Sequence, residues 1–319
     1  MEKRKIMFLI NPRAGKGRGF EHKRKIEEIF RKSEDEVTIA VTSEKGSNSI
    51  FSLTKRAVEE CFDVLVSVGG DGTHNLVVNS MVAAAKEQNL SSPESLPSLG
   101  LIGTGTGNNL NKNLGLQSGF KEAINVIKSG HTRFIDFGLL SSGEEKRYFI
   151  NVVSFGFDGL VVSELKKAKE KKRYRLVPKS LSYLLIALRR IIIEIPSYRV
   201  RLSGPDLALE TETSLMAVLN GPTYGTIFHM APGADLSDGS FNVYLINKVG
   251  RLKALTILPR VILGKHDGLP QVKSFKVSSL AIFSSQALPC EIDGEVMPSS
   301  REYEIYVLPK ALKVLVPQS

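Results

Sequence analysis

Residues 63–79 read DVLVSVGGDGTHNLVVN, and the rest of the chain can be read outward from them. An apolar run of Val64, Leu65, Val66 and Val68 stops at Gly69-Gly70-Asp71-Gly72-Thr73, after which Leu76, Val77 and Met81 resume at helical spacing. That is the pattern of a buried parallel strand, a glycine turn and a helix start. The glycines let backbone pass close to a ligand, and Thr73 or Asp71 can cap the helix, whose free N–H groups favour an anion. Phosphate is the natural anion for such a turn. The plain alternative is a tight βα turn that binds nothing.

Two further junctions of the same kind argue for the ligand. Ile6 to Ile10 is another short apolar run, followed by Asn11-Pro12-Arg13-Ala14-Gly15-Lys16-Gly17-Arg18-Gly19; Leu99 to Ile102 leads into Gly103-Thr104-Gly105-Thr106-Gly107-Asn108-Asn109-Leu110. In a doubly wound sheet such loops gather at the carboxyl ends of the strands, where ligands bind. The segments NPRAG, GGDGT followed two residues later by Asn75, and GTGNNL together resemble the diacylglycerol kinase catalytic domain family, soluble bacterial lipid kinases related to sphingosine and ceramide kinases. The late stretch Glu291-Ile292-Asp293-Gly294-Glu295 resembles that family's closing DGE motif. The four motifs occur in the family's order and span nearly the whole chain.

The fold class expected is α/β: an N-terminal doubly wound, mostly parallel, NAD-kinase-like domain over residues 1–134, then a C-terminal β-sandwich domain over 135–308. The first region alternates strand and helix signals, with strands at Ile6, Val37 to Val41, Val64 to Val68 and Leu99. Helices are expected at Lys23 to Phe30, Ile50 to Cys61, Leu76 to Gln88 and Phe120 to Lys128. Such alternation implies parallel pairing through right-handed crossovers. The second region is strand-rich, with runs at Thr132 to Leu140, Tyr148 to Phe155, Tyr198 to Leu202, Leu207 to Leu219, Ser240 to Ile246, Gln271 to Ser278, Leu280 to Phe283 and Glu302 to Val307. It is interrupted by a basic helical insertion, 160–195, and by a helix near Leu252 to Leu263. In the resembling family the nucleotide and lipid meet in the cleft between the domains, and the end of the chain, about 309–319 here, returns to the first.

A formal net charge of +10 invites a polyanionic partner. Lys166, Lys167, Lys169, Lys171, Lys172, Arg173 and Arg175 form one basic run, and the apolar stretch Leu181 to Ile195 beyond it carries Tyr183 and the pair Arg189-Arg190. A basic segment joined to an apolar helix suits an anionic membrane surface. Aromatic residues interleaved for base stacking are scarce here, so no nucleic-acid partner is expected. The apolar start, about five residues before Pro12, is too short for a signal peptide and reads as the first strand, and no run is long enough for a membrane span. Cys61 and Cys290 lack metal-ligand spacing and read as reduced core residues of a cytoplasmic protein.

What the resemblance implies is an ATP- and Mg²⁺-dependent kinase acting on diacylglycerol or a related lipid alcohol while transiently associated with the membrane. Phosphoryl transfer to an alcohol needs backbone donors for phosphate, a divalent cation, and a carboxylate to take the hydroxyl proton. The resemblance assigns nucleotide contact to Asn11, Pro12, Arg13, Ala14 and Gly15, to Thr42, to Gly69, Gly70, Asp71, Gly72, Thr73, His74 and Asn75, and to Thr106. It assigns catalysis to Asp293 and Glu295, whose spacing in extended chain turns both carboxylates to one side. A structural magnesium loop is implied at Ala231 to Ser240, with Asp238 as side-chain ligand and backbone oxygens at Asp235 and Ser240; Asp71 and Asp136 match acidic positions near the nucleotide metal. Three residues depart from the family pattern, among them Leu110, which stands where an aromatic is usual. Asn109 stands where an aspartate is usual, and His74 replaces an aliphatic residue, reaching phosphate or lying on the helix surface. The absence of a Gly-Lys-Ser/Thr sequence after Lys16-Gly17-Arg18 excludes a P-loop NTPase. NAD kinase-like chemistry on a small molecule, and a nucleotide- or lipid-binding protein weakened in catalysis, are the alternatives; the acceptor lipid and a homodimeric state are left open.

Overall fold

A computed structural model describes residues 3–90, 92–105, 107–116, 119–170, 177–225 and 227–318. Thr106 and the basic residues Lys171, Lys172, Arg173 and Arg175 lie outside the described residues. The chain divides into two compact units, Met1–Ile135 with Lys310–Ser319, and Asp136–Pro309.

The first unit runs β1 (Lys5–Ile10), α1 (Gly19–Phe30), β2 (Glu36–Val41), α2 (Ile50–Glu59), β3 (Val64–Gly69), α3 (Asp71–Glu87), β4 (Ser98–Gly103), α4 (Asn109–Asn113) and α5 (Phe120–Ser129). Its strands are parallel in the order β2-β1-β3-β4, and Val314 near the chain's end pairs in parallel with Leu99 of β4. Ile6, Phe8, Ile10, Val64 and Val66 turn to one face, where Ile26 and Phe30 of α1 and Ile124 and Ile127 of α5 cover them. Met7 and Leu9 are as deeply buried on the opposite face, on which α2 packs against β1 and α3 against β3. Burial on both faces is why these strands read as unbroken apolar runs.

The second unit continues with β5 (Thr132–Ser142, which begins in the first unit), β6 (Glu145–Phe149), β7 (Val152–Gly156), α6 (Phe157–Glu170), α7 (Lys179–Ile193), β8 (Tyr198–Gly204), β9 (Leu207–Leu219), β10 (Phe241–Asn247), α8 (Arg251–Ile262), β11 (Val272–Val277), β12 (Ser279–Ile292) and β13 (Glu295–Leu315, whose last residues belong to the first unit). Antiparallel pairing gives the order β11-β10-β9-β7-β12-β13, with β8 joined to both β9 and β12, and β5 to β6 and β13. Inward residues such as Phe155, Met216, Phe241, Ile282 and Tyr303 form its main core. The other face of β9 and β10 is covered by α8 and by Tyr224, Phe228 and Met230.

Several expectations are corrected here. The run Tyr148 to Phe155 is two strands, because the backbone leaves the ladder at Ile150 and Asn151. The short strands expected at Leu280 to Phe283 and Glu302 to Val307 are parts of much longer ones, whose polar residues and prolines are tolerated where the β12–β13 register shifts. The helix expected from Leu76 begins at Asp71. Cys61 is exposed in a left-handed turn after α2, and only Cys290 is a core residue. Arg189 and Arg190 both pair with Glu164 of α6, and Tyr183 donates to Asp158, so these three side chains are engaged within the second unit. No described helix is long and apolar enough to cross a membrane.

Candidate functional site

In the first unit the three glycine-rich loops close on one another. The Asn11 backbone N–H donates to Val68 O (3.0 Å) and Thr104 N–H to Gly69 O (2.7 Å), tying the ends of β1, β3 and β4 together. Asn11 Nδ2 donates to Thr73 Oγ1 (2.9 Å), and Arg13 N–H to Asn11 Oδ1 (3.0 Å). Bare backbone permits this approach. A Cβ on Gly105 would lie 3.0 Å from Gly70 Cα, and one on Gly15 would lie 3.1 Å from Thr104. Pro12 packs against the start of α1, where a Cβ on Gly19 would come to 2.7 Å of its Cα, and Ala14 opens a short 3₁₀ turn.

Thr42 is buried beside the same loops, donating both its N–H (2.9 Å) and its hydroxyl (3.3 Å) to Ile10 O. Gly70 rather than Thr73 or Asp71 is the N-cap of α3, and no side chain caps that end. The first-turn N–H groups of a helix lack intrahelical acceptors, which makes such a terminus a place for an anion. Asn75 accepts from Asn79 one turn further along the helix.

Asp71, in that first turn, accepts from Leu110 N–H (3.3 Å) and from Asn109 Nδ2 (3.4 Å). The amide at 109 therefore meets Asp71 without the like-charge repulsion that a second carboxylate would bring. One carboxylate beside the first-turn N–H groups of α3 is an oxygen-only donor set of the kind Mg²⁺ uses with water and substrate phosphates. Those residues fit a nucleotide-borne Mg²⁺.

His74 is corrected on both expectations. It is fully buried beneath the loop, neither on the helix surface nor open to a phosphate, with Nδ1 2.8 Å from Ser67 Oγ on β3. Burial pushes its pKa down to about 4, against a smaller opposite pull from Asn111. A folded-state pKa below the unfolded value of about 6.5 means that stability is complete above pH 6.5 and is lost as pH falls towards 4. A His74→Leu variant is expected to lack that loss, which amounts to about 3 kcal/mol. Urea unfolding at pH 7.5 and pH 4.5 checks this, and equal pH dependence in both proteins would contradict it.

In the second unit Asp293 and Gly294 are not in extended chain. They form the two-residue turn between β12 and β13, both with positive φ (48° and 88°), and Ile292 pairs with Glu295. The Asp293 carboxylate accepts three backbone N–H groups, those of Ile150 (2.8 Å), Asn151 (3.0 Å) and Val152 (2.9 Å). These donors come from the break between β6 and β7. Glu295 is solvent-exposed.

Asp136 is fully buried, with Oδ2 accepting from Gly239 N–H (2.7 Å) and its own N–H donating to Leu236 O (2.6 Å). It therefore anchors the 231–240 loop. In that loop Asp235 caps Ser237, and Asp238 accepts from Ser240 N–H through one oxygen and from Lys276 Nζ (2.6 Å) through the other. A lysine ammonium thus sits on one oxygen of the carboxylate that the resemblance assigns to a structural Mg²⁺. Among the described residues no group of three or more His, Cys, Asp or Glu converges as a metal site.

Sequence reasoning missed an apolar cavity walled by α6, α7, α8 and strands β7 and β9, with an empty volume of about 750 Å³ including its mouth. Phe157, Ile191, Ile195, Leu215, Leu258 and Val261 supply apolar wall, and Ser154, Asp158, Tyr183 and Tyr224 form a polar patch. Outside it, Ile192, Ile193 and Leu252 are 62%, 52% and 83% exposed on the helices whose inner faces line it. The alternation of apolar residues along Leu181 to Ile195 was the available signal, but nothing local distinguishes a cavity wall from a packed core.

Residues 5–140 match the diacylglycerol kinase catalytic domain, and residues 151–316 match the YegS C-terminal NAD kinase beta sandwich-like domain. A Staphylococcus carnosus protein named "Diacylglycerol kinase" is 27% identical over 296 residues, covering 92% of this chain and 89% of that protein. A Xanthomonas euvesicatoria protein named "Probable lipid kinase YegS-like" is 29% identical over 289 residues, covering 90% and 89%. A solved Bacillus anthracis structure described as a diacylglycerol kinase superposes with a TM-score of 0.69 at 18% identity, covering 99% of this chain and 98% of that one.

Proposed function

The chain belongs to the lipid kinase family that joins a diacylglycerol kinase catalytic domain to a YegS-type β-sandwich, and from that premise we propose that it transfers the γ-phosphoryl group of ATP to the hydroxyl of diacylglycerol or a related lipid alcohol. The observation that carries the proposal is the convergence of three glycine loops on the first turn of α3, leaving backbone N–H groups for phosphate oxygens. Mg²⁺ bound with the nucleotide would supply charge neutralisation, and Asp71 is the carboxylate placed to meet it.

On the acceptor side, Asp293 and Glu295 are the carboxylates proposed to orient the lipid hydroxyl and take its proton during direct in-line transfer. The apolar cavity is the proposed seat of an acyl chain. Exposed Ile192, Ile193 and Leu252, with Arg251 and Lys253 beside them, would rest on an anionic bilayer from which the lipid is drawn. A binding role without turnover is the second reading, favoured by the amide of Asn109 lying against Asp71.

The test is ADP release with ATP and Mg²⁺ in mixed micelles carrying a panel of lipid alcohols. One lipid is expected to be phosphorylated. Ala254→Trp, which puts an indole into the cavity, is expected to lower kcat/KM for that lipid by about 10–100-fold, a loss of about 1–3 kcal/mol, with nucleotide affinity unchanged. No turnover on any lipid would overturn the kinase proposal, and an indifferent Ala254→Trp would remove the cavity from it.

A further inference from the structure

Glu291 precedes the Asp293–Gly294 turn by two residues and is completely buried. Its Oε2 accepts the Gly294 N–H (2.7 Å), while Oε1 lies 3.0 Å from Ser154 Oγ and 3.1 Å from the Tyr224 hydroxyl. The same two hydroxyls donate to Oδ2 of Asp158, which is also completely buried and whose Oδ1 accepts from Tyr183. Two carboxyl groups therefore share one set of hydroxyl donors.

Counting protons decides how they divide them. Ser154, Tyr183 and Tyr224 have one hydroxyl proton each, and Asp158 alone offers acceptors to all three. Once those protons go to Asp158, a contact from Glu291 Oε1 to the Ser154 or the Tyr224 oxygen needs a proton from Glu291 itself, which serves one of the two at a time. A protonated carboxyl has that donor, and its other oxygen still accepts from Gly294. Burial first, and the nearby Asp158 charge second, push the Glu291 pKa well above the usual carboxylate range, in agreement with the count.

We infer that Glu291 is a positioning residue that works as a neutral acid: anchored through Ser154 and Tyr224 to Asp158, it holds the Gly294 N–H and so fixes the turn that presents Asp293 and Glu295. The kinetic consequence rests on the lipid kinase reading given above; the structural one does not. Gly294 takes a φ of 88° and Asp293 one of 48°, a conformation that a side chain holding the turn's N–H maintains. Three of the anchoring groups, Ser154, Asp158 and Tyr224, also stand in the wall of the apolar cavity, so the same network borders the acyl-chain seat and the acidic turn.

Glu291→Gln and Glu291→Leu separate this role from its rivals. Glutamine is neutral and of the same shape; its carbonyl can accept from Gly294 and its amide can donate to Ser154 or Tyr224. It is expected to keep kcat within about threefold of the parent, with KM for ATP and the exchange rate of the Gly294 amide proton unchanged. Leucine has the volume but no polar group. It is expected to lower kcat by about 50-fold at unchanged KM for ATP, and to speed Gly294 amide exchange by about tenfold while amides of β9 and β10 stay protected. Loss of the turn in Glu291→Gln, as severe as in Glu291→Leu, would show that an ionised carboxylate is required and overturn the inference, even if the leucine variant fails to fold. Parental exchange and kcat in Glu291→Leu would overturn it equally. Should the parent protein phosphorylate no lipid, the kinase reading falls and the exchange comparison decides this inference alone.

Discussion

Asp293→Asn is expected to lower both the melting temperature and the turnover of this protein, whereas Glu295→Gln lowers turnover alone. The Asp293 carboxylate is the acceptor for the N–H groups of Ile150, Asn151 and Val152, residues only 1%, 4% and 2% exposed. Asparagine tolerates the same left-handed backbone, so the substitution isolates the hydrogen bonds from turn strain. It keeps one acceptor oxygen and turns an NH₂ group towards a backbone donor. Leaving one or two buried N–H groups unsatisfied costs about 2–4 kcal/mol, or about 5–15 °C in a unit of this size. Glu295 is exposed beyond the turn, and its amide replacement should leave Tm within about 1 °C, as surface substitutions do. Both variants should lose about 10²-fold or more in kcat, the scale of general acid–base assistance. Calorimetry beside the ADP-release assay reads the two effects separately. A parental Tm in Asp293→Asn would refute the anchoring role, and full turnover in Glu295→Gln would exclude that carboxylate from the chemistry.

The second large effect is expected at Gly69. A Cβ there would lie 2.4 Å from Thr73 Cβ and 2.5 Å from its Oγ1, well inside contact distance. Thr73 cannot yield freely, because its hydroxyl receives Asn11 Nδ2 and sits in the first turn of α3. Gly69→Ala should therefore part the first and second glycine loops, lowering stability by about 1–3 kcal/mol or more and, on the proposed function, weakening ATP binding by about 100-fold, since phosphate recognition would depend on backbone geometry. Gly72→Ala is the contrasting case. Nothing lies within 4 Å of its Cβ position, and alanine is the better helix former, so Tm should hold or rise slightly. Titration with a fluorescent ATP analogue and thermal unfolding of both variants check the pair. Equal damage from the two substitutions would mean that loop packing is not what Gly69 provides.

Much of the first unit was legible because its information is local. Val64 to Val68 is buried on both faces and so reads as an apolar run, and glycines mark where the backbone of three loops must meet. The second unit was harder for a physical reason. Ile150 and Asn151 leave the ladder to serve Asp293, more than 140 positions away, so nothing adjacent announces the break in Tyr148 to Phe155. The turn geometry of Asp293-Gly294 was concealed in the same way, since the carboxylate's partners are distant. Asp158 and Glu291 belong to no local pattern; topology alone makes them a buried pair. His74 was misplaced because α3 starts three residues before it and turns that position inward.

The pairing of Val314 with Leu99 has a consequence for how the protein is made. Val314 and Leu315 are 0% and 1% exposed, Leu315 belongs to the core of the first unit, and Val316 N–H donates to His131 O (3.0 Å). A chain emerging from the ribosome finishes its N-terminal half only when these last residues have been translated, after all of the second unit. A polypeptide that stops before Val314 would have an open β4 edge, a target for proteolysis or aggregation rather than a working half.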